Sequence, residues 1–193
     1  MTETNNNNDG IIAEEISKVA NNKPRINRIL SMFLDHCIMC LLIVPLGFLI
    51  FGLGALMKDN LNNGIGIVLV FIPFFIYLNK DFFNAKSPAK RILGFQVIDR
   101  KTNNPANELQ CFVRNLTICI AWPLEVIVGL INPERRIGDF LANTKVITSE
   151  KEKFKSIWTD LKNTKLKMNF IGILIIGGIY FYGLSLLLPG MNY

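Results

Sequence analysis

Apolar residues fall along this chain in long blocks rather than in alternation. The first block runs from about 29 to 57 and the second from about 64 to 79, followed by a third over 115–133 and a fourth over 168–189. A hydrocarbon core of about 30 Å needs about 20 helical residues. The pattern predicts an all-α polytopic membrane protein. The link 58–63 is so short that the first two blocks must be antiparallel neighbours, a transmembrane hairpin. The fourth block predicts a C-terminal transmembrane helix. Residues 1–22 are polar, with Asn5 to Asn8 in a run, and read as a disordered cytoplasmic tail with no cleavable signal.

Polar, basic stretches separate the blocks. Within 79–114, seven Lys/Arg oppose three acids, and within 134–167 nine oppose five. Inside them, Gly94–Asp99 and Thr144–Thr148 have strand chemistry and predict a small cytoplasmic β-hairpin or strand pair that meets near Val97 and Val146. Glu134–Asn143 reads as a short helix entered through Pro133 and stopped by a left-handed Asn143. Phe154, Ile157, Trp158 and Leu161 then recur at helical spacing among lysines, which predicts a basic interfacial amphipathic helix within 149–167.

Lys and Arg are retained on the cytoplasmic side of a membrane. The amino terminus and both basic stretches therefore belong inside, in a multi-pass protein of a cell inner membrane. A straight third span would put the two stretches on opposite faces. Pro123 lies near the middle of that block and costs about 3 kcal/mol in a helix interior. The third block is therefore expected to be a broken or re-entrant helix that dips in and returns, with a kinked full span as the alternative.

Composition changes this picture little. The chain has 193 residues, half of them hydrophobic, and a mean hydropathy of +0.33, enough for one compact unit. The net charge of +6 follows from the loops, and no aromatic-interleaved basic patch points to nucleic acid. Cys37, Cys40, Cys111 and Cys119 sit in or beside apolar segments, so no disulfide framework is expected. With His36 they admit a soft-metal reading, but lone cysteines in membrane helices behave as small apolar residues, and neither a metal nor a cofactor is expected. No catalytic triad, phosphate loop or dinucleotide fingerprint is present, so the expectation is a protein that is not an enzyme.

Four stretches, in order, carry a family resemblance. Arg28-Ile-Leu-Ser-Met-Phe-Leu-Asp35 resembles the start of an RDD domain, and Ser87-Pro-Ala-Lys-Arg-Ile-Leu-Gly-Phe-Gln-Val-Ile-Asp99 resembles its Ser-x-Gly-Lys-Arg stretch and following strand. Phe112-Val-Arg-Asn115 and Arg135-Arg-Ile-Gly-Asp-Phe-Leu-Ala-Asn-Thr-Lys-Val-Ile147 complete it. Ala89 and Asn143 stand where the family usually has Gly. The resemblance implies an RDD-like membrane domain over 23–148 whose family-defining polar residues are Arg28, Asp35 and Asp139. For activity it implies either a transporter or cation/proton exchange subunit for an unidentified ligand, or an accessory or scaffold subunit of a larger membrane complex. The partners expected are the lipid bilayer and a second copy or a membrane-complex subunit.

The charged residues inside apolar blocks carry the candidate chemistry. Arg28 and Asp35 are seven apart, so they share a helix face about 10 Å apart along the axis. Arg28 can snorkel to headgroups. Asp35 is deeper, and an ionised carboxylate in lipid costs at least ~2.5 kcal/mol, so it needs a donor, with Arg114 the best candidate. Asp139 has Arg135 and Arg136 within helical reach, as a surface ion pair. Glu125, just past Pro123, joins Asp35 as a candidate ion or proton site, because broken membrane helices bind cations at their exposed backbone. Gly177, Gly178 and Gly183 read as helix-packing positions.

Overall fold

The computed structural model describes residues 24–56, 63–163 and 168–187. The expected tail over 1–22, the link after the first block and the end of the chain lie outside the described residues. Helix α1 (Pro24–Leu56) packs on α2 (Asn63–Leu78), as a hairpin requires. A short α3 (Pro88–Leu93) leads into strand β1 (Phe95–Asp99). Helices α4 (Glu108–Leu116) and α5 (Ile118–Ile131) follow, then α6 (Ile137–Leu141), strand β2 (Thr144–Thr148), α7 (Ser156–Asn163) and α8 (Met168–Leu187).

Among the described residues, Ile26–Gly54 and Met168–Leu186 are long and apolar enough to cross a membrane, and α4 with α5 would add a third span if counted together. The 16 residues of α2 rise only about 24 Å. Leu41, Phe48 and Leu49 on α1 and Ile179 and Tyr182 on α8 are exposed. Apolar surface of that extent on long helices is what a lipid solvent accommodates.

The two strands pair antiparallel in the register Val97↔Val146, from segments far apart in sequence rather than as a hairpin. Val97, Phe95 and Val146 pack with Ala85, Ala106 and Cys111 under the sheet. A second core of Leu78, Phe112, Ile173 and Phe181 joins α2, α4 and α8. Local chemistry sets the ends of α3. The Ser87 hydroxyl accepts from the Lys90 N–H, Pro88 occupies the first turn, and Gly94 closes the helix at φ 74°. A Cβ at Gly94 would lie 2.7 Å from the Ser149 carbonyl oxygen, so glycine is required for space as well as for φ.

Three expectations need correction. The third block has a kink just before Pro123, but its sharpest bend falls earlier. Helix α4 begins well before the proline, and the chain turns by 88° between Leu116 and Ile118. The kink sits at Ala121, φ −135° and ψ 34°, two residues before Pro123, and proline is a usual cause of such kinks. The helix expected from Pro133 starts only at Ile137, because Arg136 is extended and its N–H donates to the Asp139 carboxylate (3.1 Å). Asn143 does take the left-handed φ of 53°. Of the three α8 glycines read as packing positions, only Gly177 is closely packed, where a Cβ would meet Phe75 at 3.0 Å. Gly178 and Gly183 face open space.

Candidate functional site

Helical spacing puts Arg28, Ser31 and Asp35 on one face of α1, and all three are buried. This face meets the start of α3. Asp35 accepts hydrogen bonds from the Ser87 hydroxyl (2.6 Å), the Ala89 N–H (3.1 Å) and the Lys90 ammonium (3.1 Å). The partner expected for Asp35 was Arg114; the residue that fills the role is Lys90. It comes from α3, whose Ser-Pro start aims backbone and side-chain donors at one carboxylate.

Lys90 also donates to Asp81 (2.6 Å). The other Asp81 oxygen accepts from Arg114 Nη1 and Asn115 Nδ2, both at 3.1 Å. Arg114 Nε then donates to Asp139 at 2.7 Å. Asp139 accepts further from the Thr144 hydroxyl (2.8 Å), and Arg28 Nη2 and Arg136 Nε each lie 3.8 Å from it. Arg136 reaches on to Asn115 Oδ1 (2.6 Å) and to Glu125 Oε2 (3.5 Å). Glu125 Oε1 accepts from the Gly138 N–H (2.9 Å) and from the Thr117 hydroxyl.

These contacts form one ladder of alternating sign: Asp35, Lys90, Asp81, Arg114, Asp139, Arg136, Glu125, with Arg28 attached at Asp139. Among the described residues it holds four cations and four carboxylates, every one at most 3 % exposed. It ties together α1, α3, α4, α5 and α6. Burial alone would raise the Asp81 carboxyl, but Lys90 and then Arg114 outweigh it and hold it well below the usual carboxylate range. Burial likewise opposes ionisation of Asp139, and Arg114, Arg136 and Arg28 together hold it low.

The sign of the pH dependence follows. An unfolded Asp titrates near ~3.9, and both folded values are lower, so the two acids stabilise the fold above that pH and lose their contribution as pH falls below it. Thermal unfolding of detergent-purified protein is expected to be flat from neutral pH down to about 5 and to weaken below about 4. A stability maximum in the acid range would show that these carboxylates are not ion-paired.

The expected site residues are thus brought into one network, but not as the sequence suggested. Asp35 and Glu125 stand at opposite ends of the ladder rather than around one point. Arg28 is 2 % exposed and turns to Asp139 rather than to the membrane surface. Asp139 is fully buried, not a surface ion pair. Arg136 belongs to the ladder, whereas Arg135 stacks on the Phe140 ring at 3.9 Å. Asp81, Lys90, Asn115 and Thr144 were missed. Two of them were findable. Asp81 is the acid that directly follows an apolar block, and Lys90 lies inside a stretch singled out for its pattern.

A second, smaller cluster lies beside the first. Lys86 and Arg91, both buried, pair with Glu152 (2.5 and 2.6 Å), and Arg91 also pairs with Asp160 (2.5 Å). On the other side of α1, His36 Nδ1 lies 3.0 Å from the Tyr77 hydroxyl, and its ring packs on Trp122.

Compared with known proteins, residues 24–189 match the sequence model of the RDD family. No curated protein and no solved structure matches the chain.

Proposed function

The chain belongs to the RDD family, and from that premise we propose that it is a non-catalytic accessory or scaffold subunit of a membrane assembly. In this reading the ladder is a structural clasp rather than an ion path. The observation that carries it is the charge balance, in which each buried carboxylate already has a fixed cation. A cation arriving at Asp35, Asp81 or Asp139 would have to displace a lysine or an arginine. Asp81 and Asp139, held low, have no proton to exchange near neutral pH.

The amino terminus and both basic stretches lie in the cytoplasm in this proposal, the protein resides in an inner membrane, and α4 with α5 forms a re-entrant element. The 88° turn supports it, since a chain bent that sharply advances little across a bilayer. The outer half of α1 supports a partner. Leu41, Phe48, Leu49 and Leu53 are exposed there, and Gly47, Gly52 and Gly54 have nothing within 4 Å. Small residues let a second helix approach closely, from another copy or another subunit.

Cation/proton exchange keeps one specific observation in its favour. Glu125 Oε2 lies at the broken helix without a hydrogen-bond partner among the described residues. Reconstitution in vesicles with an internal pH dye tests both readings. Wild type is expected to move no more protons under a Na⁺ or K⁺ gradient than empty vesicles, and Asp35→Asn to lower the yield of folded protein. Cation-driven proton movement abolished by Glu125→Gln would replace the clasp with an exchanger.

A further inference from the structure

The segment after β2 turns its charges in opposite directions. Glu152 and Asp160 face inward onto Lys86 and Arg91, and Ser156 accepts from Arg91 between them (2.9 Å). Lys151, Lys153, Lys155 and Lys162 are exposed. At about 100° per residue, the side of α7 that carries Ser156 and Asp160 is opposite the side that carries Trp158 and Leu161, which are 65 and 47 % exposed; Phe154, in the turn just before the helix, is 50 % exposed. The helix therefore docks by its polar side and presents its apolar side outward, the reverse of a helix on a water-facing surface.

Its height in the molecule explains why. Asn163 and Met168 are joined by a segment that spans at most about 18 Å, so α7 lies close to where α8 enters the apolar layer. There Leu161 joins the rings of Phe75, Phe82, Phe83 and Phe170 around a groove of about 470 Å³. The polar member of the lining, Asn79, donates its Nδ2 to the Phe75 carbonyl (2.9 Å). The groove is lined mainly by hydrocarbon and rings, Leu161 of its lining is followed by the exposed Lys162, and the nearby acids Glu152 and Asp160 are paired with Lys86 and Arg91.

We propose that this groove holds one anionic phospholipid of the adjoining leaflet, an acyl chain lying among the phenylalanine rings and the phosphate meeting Lys155 and Lys162. Lys155 immediately precedes α7 and Lys162 lies in its last turn, and both are exposed. Trp158 beside them is the residue type that settles at headgroup depth. The Arg91–Glu152–Asp160 cluster positions the rim by holding α7 to the domain. The inference rests on α8 crossing the bilayer, which resistance of the membrane-bound chain to alkaline extraction reports separately.

The experiment uses the full chain in detergent with Trp122→Phe, which leaves Trp158 as the reporter, since the chain has two tryptophans. Phosphatidylglycerol and phosphatidylcholine with brominated acyl chains are added in turn. Phosphatidylglycerol is expected to quench Trp158 at a lower mole fraction, by about fivefold for each engaged lysine. Lys155→Gln with Lys162→Gln should abolish the preference, while Asn79→Phe, by filling the groove, lowers quenching by both lipids. Equal quenching by the two lipids overturns the proposal, and so does a preference that survives the lysine changes. Shielding of Trp158 from both lipids by a co-purifying protein would overturn it as well and assign the surface to that protein.

Discussion

Asp139→Asn is expected to cost the chain most of its stability, so that little folded protein survives detergent extraction. The carboxylate accepts from Arg114, Thr144 and the Arg136 N–H, and it is the carboxylate nearest Arg28. An asparagine keeps the shape and loses the charge, which leaves four buried cations against three carboxylates. Removing one partner of a buried pair costs about 3–5 kcal/mol, against a total stability of about 5–15 kcal/mol for a typical protein. Asp99→Asn is the matched control, because that side chain caps an exposed turn at the Lys101 N–H and should cost no more than about 1 kcal/mol. Thermal unfolding followed by size exclusion measures both. A melting point for Asp139→Asn within about 2 °C of wild type would remove the ladder from any account of stability.

Gly138→Ala should be as damaging for a different reason. A Cβ there would lie 1.8 Å from the Arg114 carbonyl oxygen and 2.8 Å from its carbonyl carbon. Backbone atoms cannot rotate out of the way as a side chain can, so α6 must move off α4. That movement stretches the Gly138 N–H bond to Glu125 (2.9 Å) and the Arg114–Asp139 pair (2.7 Å) together. The cost should exceed about 3 kcal/mol, the upper end for overpacking. Gly178→Ala has open space around it and should be neutral or stabilising by up to about 1 kcal/mol, since alanine is the better helix former. Comparable yields of the two variants would contradict the close approach of α6 to α4.

Much of the fold was legible because single residues govern it. Hydrophobic runs located α1, α2 and α8, and the strand chemistry around Val97 and Val146 anticipated both strands and their pairing. Asn143 announced its own left-handed turn. The helix α4 was passed over although Asn107 and Gln110 are spaced as a capping box, and both bonds of that box are present. The partners of the ladder were harder to read. Proximity in sequence favours Arg135 and Arg136 for Asp139, whereas Arg114 reaches it from 25 residues away because Gly138 lets two backbones touch. The 88° turn likewise has no proline at its apex. It falls where the capped, polar α4 ends and the apolar α5 begins, so proline chemistry pointed a few residues too far along.

The alternating ladder also fixes when the protein can finish folding. Chains emerge from the ribosome amino end first, so Arg28 and Asp35 are delivered before any of their partners exist. Asp35 must wait for Ser87 and Lys90, and Arg28 for Asp139, more than a hundred residues later. A nascent chain halted before Arg136 carries Arg28, Lys90 and Arg114 against Asp35, Asp81 and Glu125, a set that balances in number yet lacks Asp139, the carboxylate that Arg28 faces. The arrival of residues 136–144 is therefore the event that completes the pairing, because it brings Arg136, Asp139 and Thr144 to the buried charges already waiting for them.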